Sequence, residues 1–77
     1  MTKHKKPNRI DIHVGRALLR LRLTRGVSTA EMAARLGIGI AQLRKHERGS
    51  ARIYPAQLFE IAKMLDVSVS AFFDGLL

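Results

Sequence analysis

The sequence contains no cysteine and no tryptophan, and only six acidic residues and two prolines. Without cysteine there is no disulfide bond, no thiolate ligand for a metal and no cysteine nucleophile, a composition that fits an intracellular protein. The first residues lack the apolar run of a signal peptide, and no stretch of about 18 apolar residues could cross a membrane. We therefore expect one small cytoplasmic domain, built on the 47% of its 77 residues that are hydrophobic.

Positive charge is what the sequence has in excess. Its 14 Lys and Arg residues against six Asp and Glu give a net charge of +8. Residues 1–26 hold eight cations and Asp11, a net +7, and residues 40–52 hold four cations and Glu47, a net +3. Residues 53–77 hold one cation and three acidic residues, a net −2. This one-sided distribution predicts a binding face for an anionic partner.

Helical spacing of apolar residues begins at Ile10, after a polar, basic segment that we interpret as a flexible arm (residues 1–9). Residues 10–77 are then the folded domain, which we predict to be all-α, with five short helices and no strand. The first helix has two apolar stripes on opposite sides, Val14–Leu18–Leu21 and Ile12–Leu19–Leu23, and ends in a left-handed turn at Gly26.

The next two helices lie close together in the sequence. Ser28 and Glu31 have the spacing of a capping box, and Gly37 ends the short helix that they begin. A second helix over residues 41–48 follows almost at once and is closed by Gly49. Two short helices separated by a glycine turn are typical of a helix-turn-helix.

A fourth helix is expected to begin at Pro55, because proline is favoured in the first turn. Its apolar face consists of Leu58, Ile61, Ala62 and Leu65. Asp66 and Val67 then turn the chain, and Ser68 caps a short fifth helix.

The helix over residues 41–48 has two different faces when its residues are placed at 100° intervals. Leu43 and His46 lie on the inner face, with Gln42 and Glu47 at the borders. The outer face is half cationic and half apolar, and it holds Ile40, Ala41, Arg44, Lys45 and Arg48. Such a face suits the DNA major groove, since cations donate to guanine and apolar groups meet thymine methyls. A glycine N-cap, Gly39, lets the helix N-terminus approach a phosphate closely.

The stretch VGRALLRLRLTRGVSTAEMAARLGIGIAQLRKHERGS, followed by LFEIAKMLDVSVSAFF, resembles the Cro/cI repressor-type helix-turn-helix domain. That family includes phage repressors, small bacterial transcription regulators and antitoxins. The resemblance is carried by Gly26-x-Ser28, Leu36-Gly37, Glu47-x-Gly49 and the segment Ile61–Ser68 taken together. The resemblance implies a lambda-repressor-like fold. It also implies a transcriptional regulator, with a repressor favoured, and this regulator would bind double-stranded DNA through the helix over residues 41–48. An antitoxin that also holds a toxin protein is the alternative.

The helix face and the resemblance together select the DNA-binding residues. They are Thr29, Gly39, Ile40, Ala41, Gln42, Arg44, Lys45, Arg48, Ser50 and Arg52. Arg22 and Glu47 match an ion pair that ties the first helix to the recognition helix in phage repressors. The family often has Gln at the positions of Thr29 and Ile40, and this chain does not, so no operator sequence carries over.

Other kinds of site have less support in the sequence. The three histidines (His4, His13 and His46) lack the spacing of a metal-ligand pair. No nucleophile, paired carboxylates or phosphate-binding loop indicates an enzyme or a cofactor, and we expect neither. The arm residues Lys3, Lys5, Lys6 and Arg9 fit either a minor-groove contact or a solubilising tail. RNA binding calls for exposed aromatic residues, whereas most of Tyr54, Phe59, Phe72 and Phe73 occupy core-like positions.

A homodimer is also expected, because one recognition helix reads too few base pairs for a unique site. The acidic C-terminal segment can bring two copies together without joining their basic regions. Phe72 is assigned to the core, whereas Phe73, Leu76 and Leu77 are the candidates for the dimer interface. In the alternative, Leu76 and Leu77 fold back over the Ile12–Leu19–Leu23 stripe within one chain.

Overall fold

The computed structural model describes residues 8–76, which form four α-helices, a short 3₁₀ helix and no strand. The helices are α1 (Arg9–Thr24), α2 (Thr29–Leu36), α3 (Ile40–Arg48), α4 (Pro55–Leu65) and the 3₁₀ helix η1 (Val69–Phe73). The all-α prediction is confirmed. The count of five short helices was slightly off, because the last segment is a 3₁₀ helix, in which the Ala71 N–H donates to the Ser68 carbonyl at 3.1 Å. Three predicted arm lysines (Lys3, Lys5 and Lys6) and Leu77 of the predicted interface lie outside the described residues.

The first helix starts slightly earlier than its apolar spacing predicts. α1 begins at Arg9, inside the segment predicted as an arm. Asn8 is its N-cap, and the Asn8 side-chain oxygen accepts a hydrogen bond from the Asp11 N–H at 2.8 Å. This bond satisfies one of the free N–H groups of the first turn, which extends the helix in the N-terminal direction.

The helix-turn-helix consists of α2, a turn and α3. Ser28 caps α2, and its hydroxyl oxygen accepts from the Glu31 N–H at 3.0 Å. At Gly37 the backbone has a φ of 70°, a conformation that glycine adopts without the steric penalty of a Cβ atom. Ile38 N–H then donates to the Ala33 carbonyl at 3.0 Å. The predicted glycine turn is therefore present.

One hydrophobic core connects all the helices. It contains Val14, Ala17, Leu18, Met32, Ala33, Leu43, Leu58, Ile61, Ala62, Leu65 and Phe72. The whole predicted face of α4 is buried, and so are most of the first stripe of α1 and Phe72. The second stripe of α1 is not part of this core: Ile12 and Leu19 are half-buried and Leu23 is exposed.

α1 and α3 approach so closely that their backbones touch. A Cβ atom on Gly15 would lie 2.4 Å from the His46 carbonyl oxygen and 2.8 Å from that of Glu47. On the other side of the crossing, a Cβ atom on Gly49 would lie 2.6 Å from the Ile12 Cα. Glycine at both positions allows this contact, which sets the position of the C-terminal end of α3 against α1.

The aromatic residues are placed differently from the prediction. Phe72 is buried, but Tyr54 is 62% exposed, Phe59 64% and Phe73 38%. The expectation that most aromatics occupy the core was therefore wrong. Phe59 and Phe73 directly follow the buried residues Leu58 and Phe72, and their own side chains lie on the exposed side of the chain. Among the described residues, no helix has the length and apolar character that crossing a membrane requires.

Candidate nucleic-acid interface

The third helix presents one face to solvent and packs the other on α1 and α2. Leu43, His46 and Glu47 are buried. The outward side chains are all exposed: Ile40, Ala41, Gln42, Arg44, Lys45 and Arg48. Gly39 caps the helix without a side-chain hydrogen bond, so its N-terminus stays open to solvent and to an anion. The arrangement places apolar, amide and cationic groups on one open surface.

The cations of this face are available for a ligand. Within residues 8–76, the side chains of Arg44, Lys45 and Arg48 have neither an ion pair nor a hydrogen bond. Among the other cations of residues 8–76, only Arg22, Arg35 and Arg52 have a carboxylate partner. Unpaired charge concentrated on one helix face attracts phosphate oxygens and the acceptor edges of bases.

A buried ion pair holds this helix in place. Arg22 Nε donates to Glu47 Oε2 at 2.6 Å, and Nη2 donates to Oε1 at 3.3 Å. The same guanidinium donates to the Val27 carbonyl at 2.9 Å. The two residues are only 6% and 8% exposed. Arg22 therefore connects α1, the turn before α2 and the C-terminal part of α3.

A second ion pair, at the surface, involves a predicted DNA contact. Arg52 Nε lies 3.2 Å from Asp11 Oδ1, so the first turn of α1 is linked to the loop after α3. The hydrogen bond and the charge of Asp11 raise the pKa of Arg52. Sequence reasoning did not find this partner, because Asp11 is 41 residues away in the chain. The guanidinium is more than half exposed and still faces solvent.

The buried His46 bridges α3 and the following loop. Its Nδ1 lies 3.1 Å from the Ala51 carbonyl oxygen. Its Nε2 lies 3.4 Å from the side-chain nitrogen of Gln42, one turn earlier on α3. Gln42 is thus placed on the exposed border of the helix by a buried neighbour.

The remaining predicted contacts flank α3. Thr29 is the first residue of α2 and is half-buried. Ser50 is exposed, and its hydroxyl donates to the Lys45 carbonyl at 3.2 Å. All ten predicted DNA-binding residues are at least partly accessible. Among residues 8–76, no group of three His, Cys, Asp or Glu side chains could hold a metal ion.

The C-terminal end has an apolar groove of about 620 Å³ near the predicted dimer interface. Ile10, Phe59 and Phe73 line it and are exposed, and Arg52 lines it as well. Leu76 is half-buried. The preceding turn is held to α1, since His13 Nε2 lies 2.8 Å from the Asp74 carbonyl oxygen. The sequence had identified Phe73 but not Ile10 or Phe59.

This architecture, with a glycine turn between α2 and α3 and an exposed basic face on α3, is that of a helix-turn-helix protein. The chain belongs to the helix-turn-helix domain family, whose sequence profile matches residues 13–71. That match confirms the helix-turn-helix resemblance that the sequence motifs indicated.

Relatives and a solved structure support the same assignment. The chain is 41% identical over 70 residues to an uncharacterised HTH-type transcriptional regulator of Sinorhizobium medicae, covering 91% of this chain and 50% of the relative. It is 36% identical over 67 residues to an uncharacterised transcriptional regulator in the ATPase CF(0) region of Rhodospirillum rubrum, covering 87% and 62%. An HTH_3 family transcriptional regulator from Vibrio cholerae superimposes with a TM-score of 0.72 at 34% identity, covering 86% of this chain and 38% of that one. The chain spans about half the length of the curated relatives that it matches.

Proposed function

We propose that the protein binds double-stranded DNA at a specific sequence and regulates transcription, with repression as its mode of action. The single observation that carries the proposal is the outer face of α3, where three cations that have no partner within residues 8–76 lie beside exposed Ile40, Ala41 and Gln42. This helix enters the major groove. Binding at a promoter then excludes other proteins from that DNA, which needs no catalytic group.

The contacts divide into base and phosphate contacts. Arg44 and Lys45 donate to base edges, and Ile40 and Ala41 contact thymine methyl groups. Arg48, Ser50, Arg52, Thr29 and the open N-terminus at Gly39 contact phosphates. Phosphate contacts fix the position of α3 on the duplex without reading the sequence, so their loss weakens binding to all duplexes equally.

Selection of bound duplexes from a random library tests the function and yields the site. Lys45→Ala is then expected to weaken binding to that site by about 1–3 kcal/mol, because a base contact is lost. Lys63→Ala is the matched control, since Lys63 is an exposed lysine on α4, away from this face. Failure to bind any duplex at low salt would disprove the proposal. Equal losses on specific and random DNA would make Lys45 a phosphate contact.

A competition with single-stranded RNA separates the DNA proposal from an RNA-binding one. The exposed Tyr54 and Phe59 make this control necessary, because aromatic rings that reach solvent can stack on unpaired bases. We expect duplex DNA that carries the selected site to displace the RNA. RNA that displaces the duplex would favour RNA binding.

The protein acts as a homodimer in this proposal, with Phe73, Leu76 and Leu77 at the interface. The apolar groove brings Phe73 together with Ile10 and Phe59. Because Arg52 lines the groove and belongs to the loop that follows α3, we expect a two-fold axis there to bring both α3 helices to one side of the dimer. Removing Leu76 and Leu77 is expected to give a folded monomer in sedimentation that binds a two-half-site duplex more weakly. If no second copy of the chain covers the groove, the antitoxin alternative is favoured, in which a toxin protein binds there.

A further inference from the structure

The geometry around His46 points to a specificity device: we propose that His46 fixes the orientation of the Gln42 amide so that Gln42 selects adenine. The inference rests on the proposed function, since it assigns a base to a residue of the α3 face. His46 is a positioning residue in this scheme. It is 5% exposed and lies beneath the surface that meets DNA.

The Ala51 carbonyl determines the tautomer of the imidazole. A carbonyl oxygen only accepts hydrogen bonds, so the His46 Nδ1 at 3.1 Å from it must carry the proton. In the neutral ring the other nitrogen, Nε2, then has a free lone pair and can only accept.

The tautomer in turn determines the orientation of Gln42. The Gln42 atom that lies 3.4 Å from Nε2 must therefore carry a hydrogen to donate. That atom is the amide nitrogen, because the amide oxygen can only accept. At this distance the hydrogen bond is weak, so it biases the amide and does not lock it. One of the two amide N–H groups is occupied by His46. The carbonyl oxygen and the second N–H remain for a ligand.

One acceptor next to one donor is the pattern that complements adenine, whose N6 donates and whose N7 accepts. Guanine presents two acceptors, O6 and N7, and would need both N–H groups of Gln42. To offer both N–H groups to guanine, the Gln42 amide would have to flip. Its oxygen would then face the lone pair on Nε2 of His46, which is repulsive. His46 therefore penalises guanine at this position. The same ring also holds Ala51, so it aligns the base reader with the loop that carries Ser50 and Arg52.

Base preferences of four proteins test the inference: wild type, Gln42→Ala, His46→Asn and His13→Asn. Gln42→Ala identifies the operator position that Gln42 reads. His46→Asn keeps a donor near Ala51 but removes the acceptor for Gln42, so the preference for adenine over guanine at that position should fall by about 5- to 100-fold. Preferences at the positions read by Arg44 and Lys45 should not change. His13 also contacts a backbone carbonyl, at the opposite end of the chain, and His13→Asn should leave every preference intact.

Rescue and a spectroscopic measurement complete the test. His46→Gln restores an acceptor at about the reach of Nε2 and should recover part of the adenine preference. Nitrogen-15 spectra of the free wild-type protein at pH 8 report the tautomer even if His46→Asn fails to fold. A proton on Nε2, or an unchanged adenine preference in folded His46→Asn, overturns the inference. Absence of any selected duplex would refute the proposed function instead, while the spectra would still test the hydrogen bonds of His46.

Discussion

Two regions of this small domain depart from the rule that charged groups lie at the surface and apolar groups in the interior. At the junction of α1 and α3 the protein buries an arginine and a glutamate, Arg22 and Glu47. At the groove between α1, α4 and η1 it exposes Ile10, Phe59 and Phe73. The buried charges are paired and hydrogen-bonded, so the junction is complete within one chain. The exposed rings gain free energy only when another molecule covers them.

The comparison distinguishes what stabilises the monomer from what serves association. Changes at the junction should lower the free energy of unfolding, since each group there has a partner in the same chain. Changes at the groove should leave that free energy almost unaltered and act on association. The following variants test this division, from the largest expected effect to the smallest.

Glu47→Ala should be the most destabilising, because it leaves the Arg22 guanidinium buried without a counter-charge. We expect a loss of about 3–5 kcal/mol in the free energy of unfolding, measured by urea denaturation. The control is Glu31→Ala, which removes an exposed pair with Arg35 and should cost less than about 1 kcal/mol. Replacing Arg22 and Glu47 together with apolar residues should cost less than either single change. Small, additive effects would contradict the coupling.

Gly15→Ala should also destabilise the junction, although alanine is ordinarily the better helix former. The new Cβ atom would meet the His46 carbonyl oxygen at 2.4 Å and push α3 away from α1. We expect a net loss of about 1–3 kcal/mol from this overpacking, seen as a lower melting temperature. At Gly39 a Cβ atom meets nothing within 4 Å, so Gly39→Ala should cost only what a poorer N-cap costs, about 1 kcal/mol or less. A stabilised Gly15→Ala protein would show that α1 and α3 are less closely packed.

Phe59→Ala should separate association from stability. The ring is 64% exposed in one chain, so its removal should change the free energy of unfolding of the monomer by no more than about 0.5 kcal/mol. Sedimentation should nevertheless show a weaker dimer. Tyr54→Ala is the matched control, because Tyr54 is equally exposed but does not line the groove. If the two variants sediment alike, the groove is not part of the dimer interface.

Arg52→Ala should have the smallest effect on folding, since its pair with Asp11 is at the surface. Its effect should appear in DNA binding as a loss on all duplexes alike. The dependence of log affinity on log salt should become shallower by about one unit if Arg52 neutralises one phosphate. An unchanged salt dependence would mean that Arg52 pairs with Asp11 and does not contact a DNA phosphate.

Local patterns predicted most of the fold. The glycine turn at Gly37, the cap at Ser28 and the proline start of α4 depend on residues a few positions apart, and all are present. The outer face of α3 could also be derived from helical periodicity. Asp11 as the partner of Arg52 could not be derived, because no local signal relates residues 41 positions apart. The 3₁₀ geometry of η1 was missed because its hydrogen bonds, which span three residues instead of four, distinguish it from an α-helix, and its composition does not.

The sequence by itself determined the four α-helices, the caps at Ser28 and Gly37, and the side chains on the solvent face of α3, because these follow from φ/ψ preferences and a period of 3.6 residues. Apart from the Arg22–Glu47 pair, which the family resemblance implied, only the tertiary structure decided which groups have partners. It brought Gly15 against α3, left Phe59 exposed beside the buried Leu58, and placed Nε2 of His46 beside Gln42. Packing between helices depends on distances across the chain that periodicity does not contain. The arrangement of Gln42, the buried His46 and the groove is therefore a property of the fold.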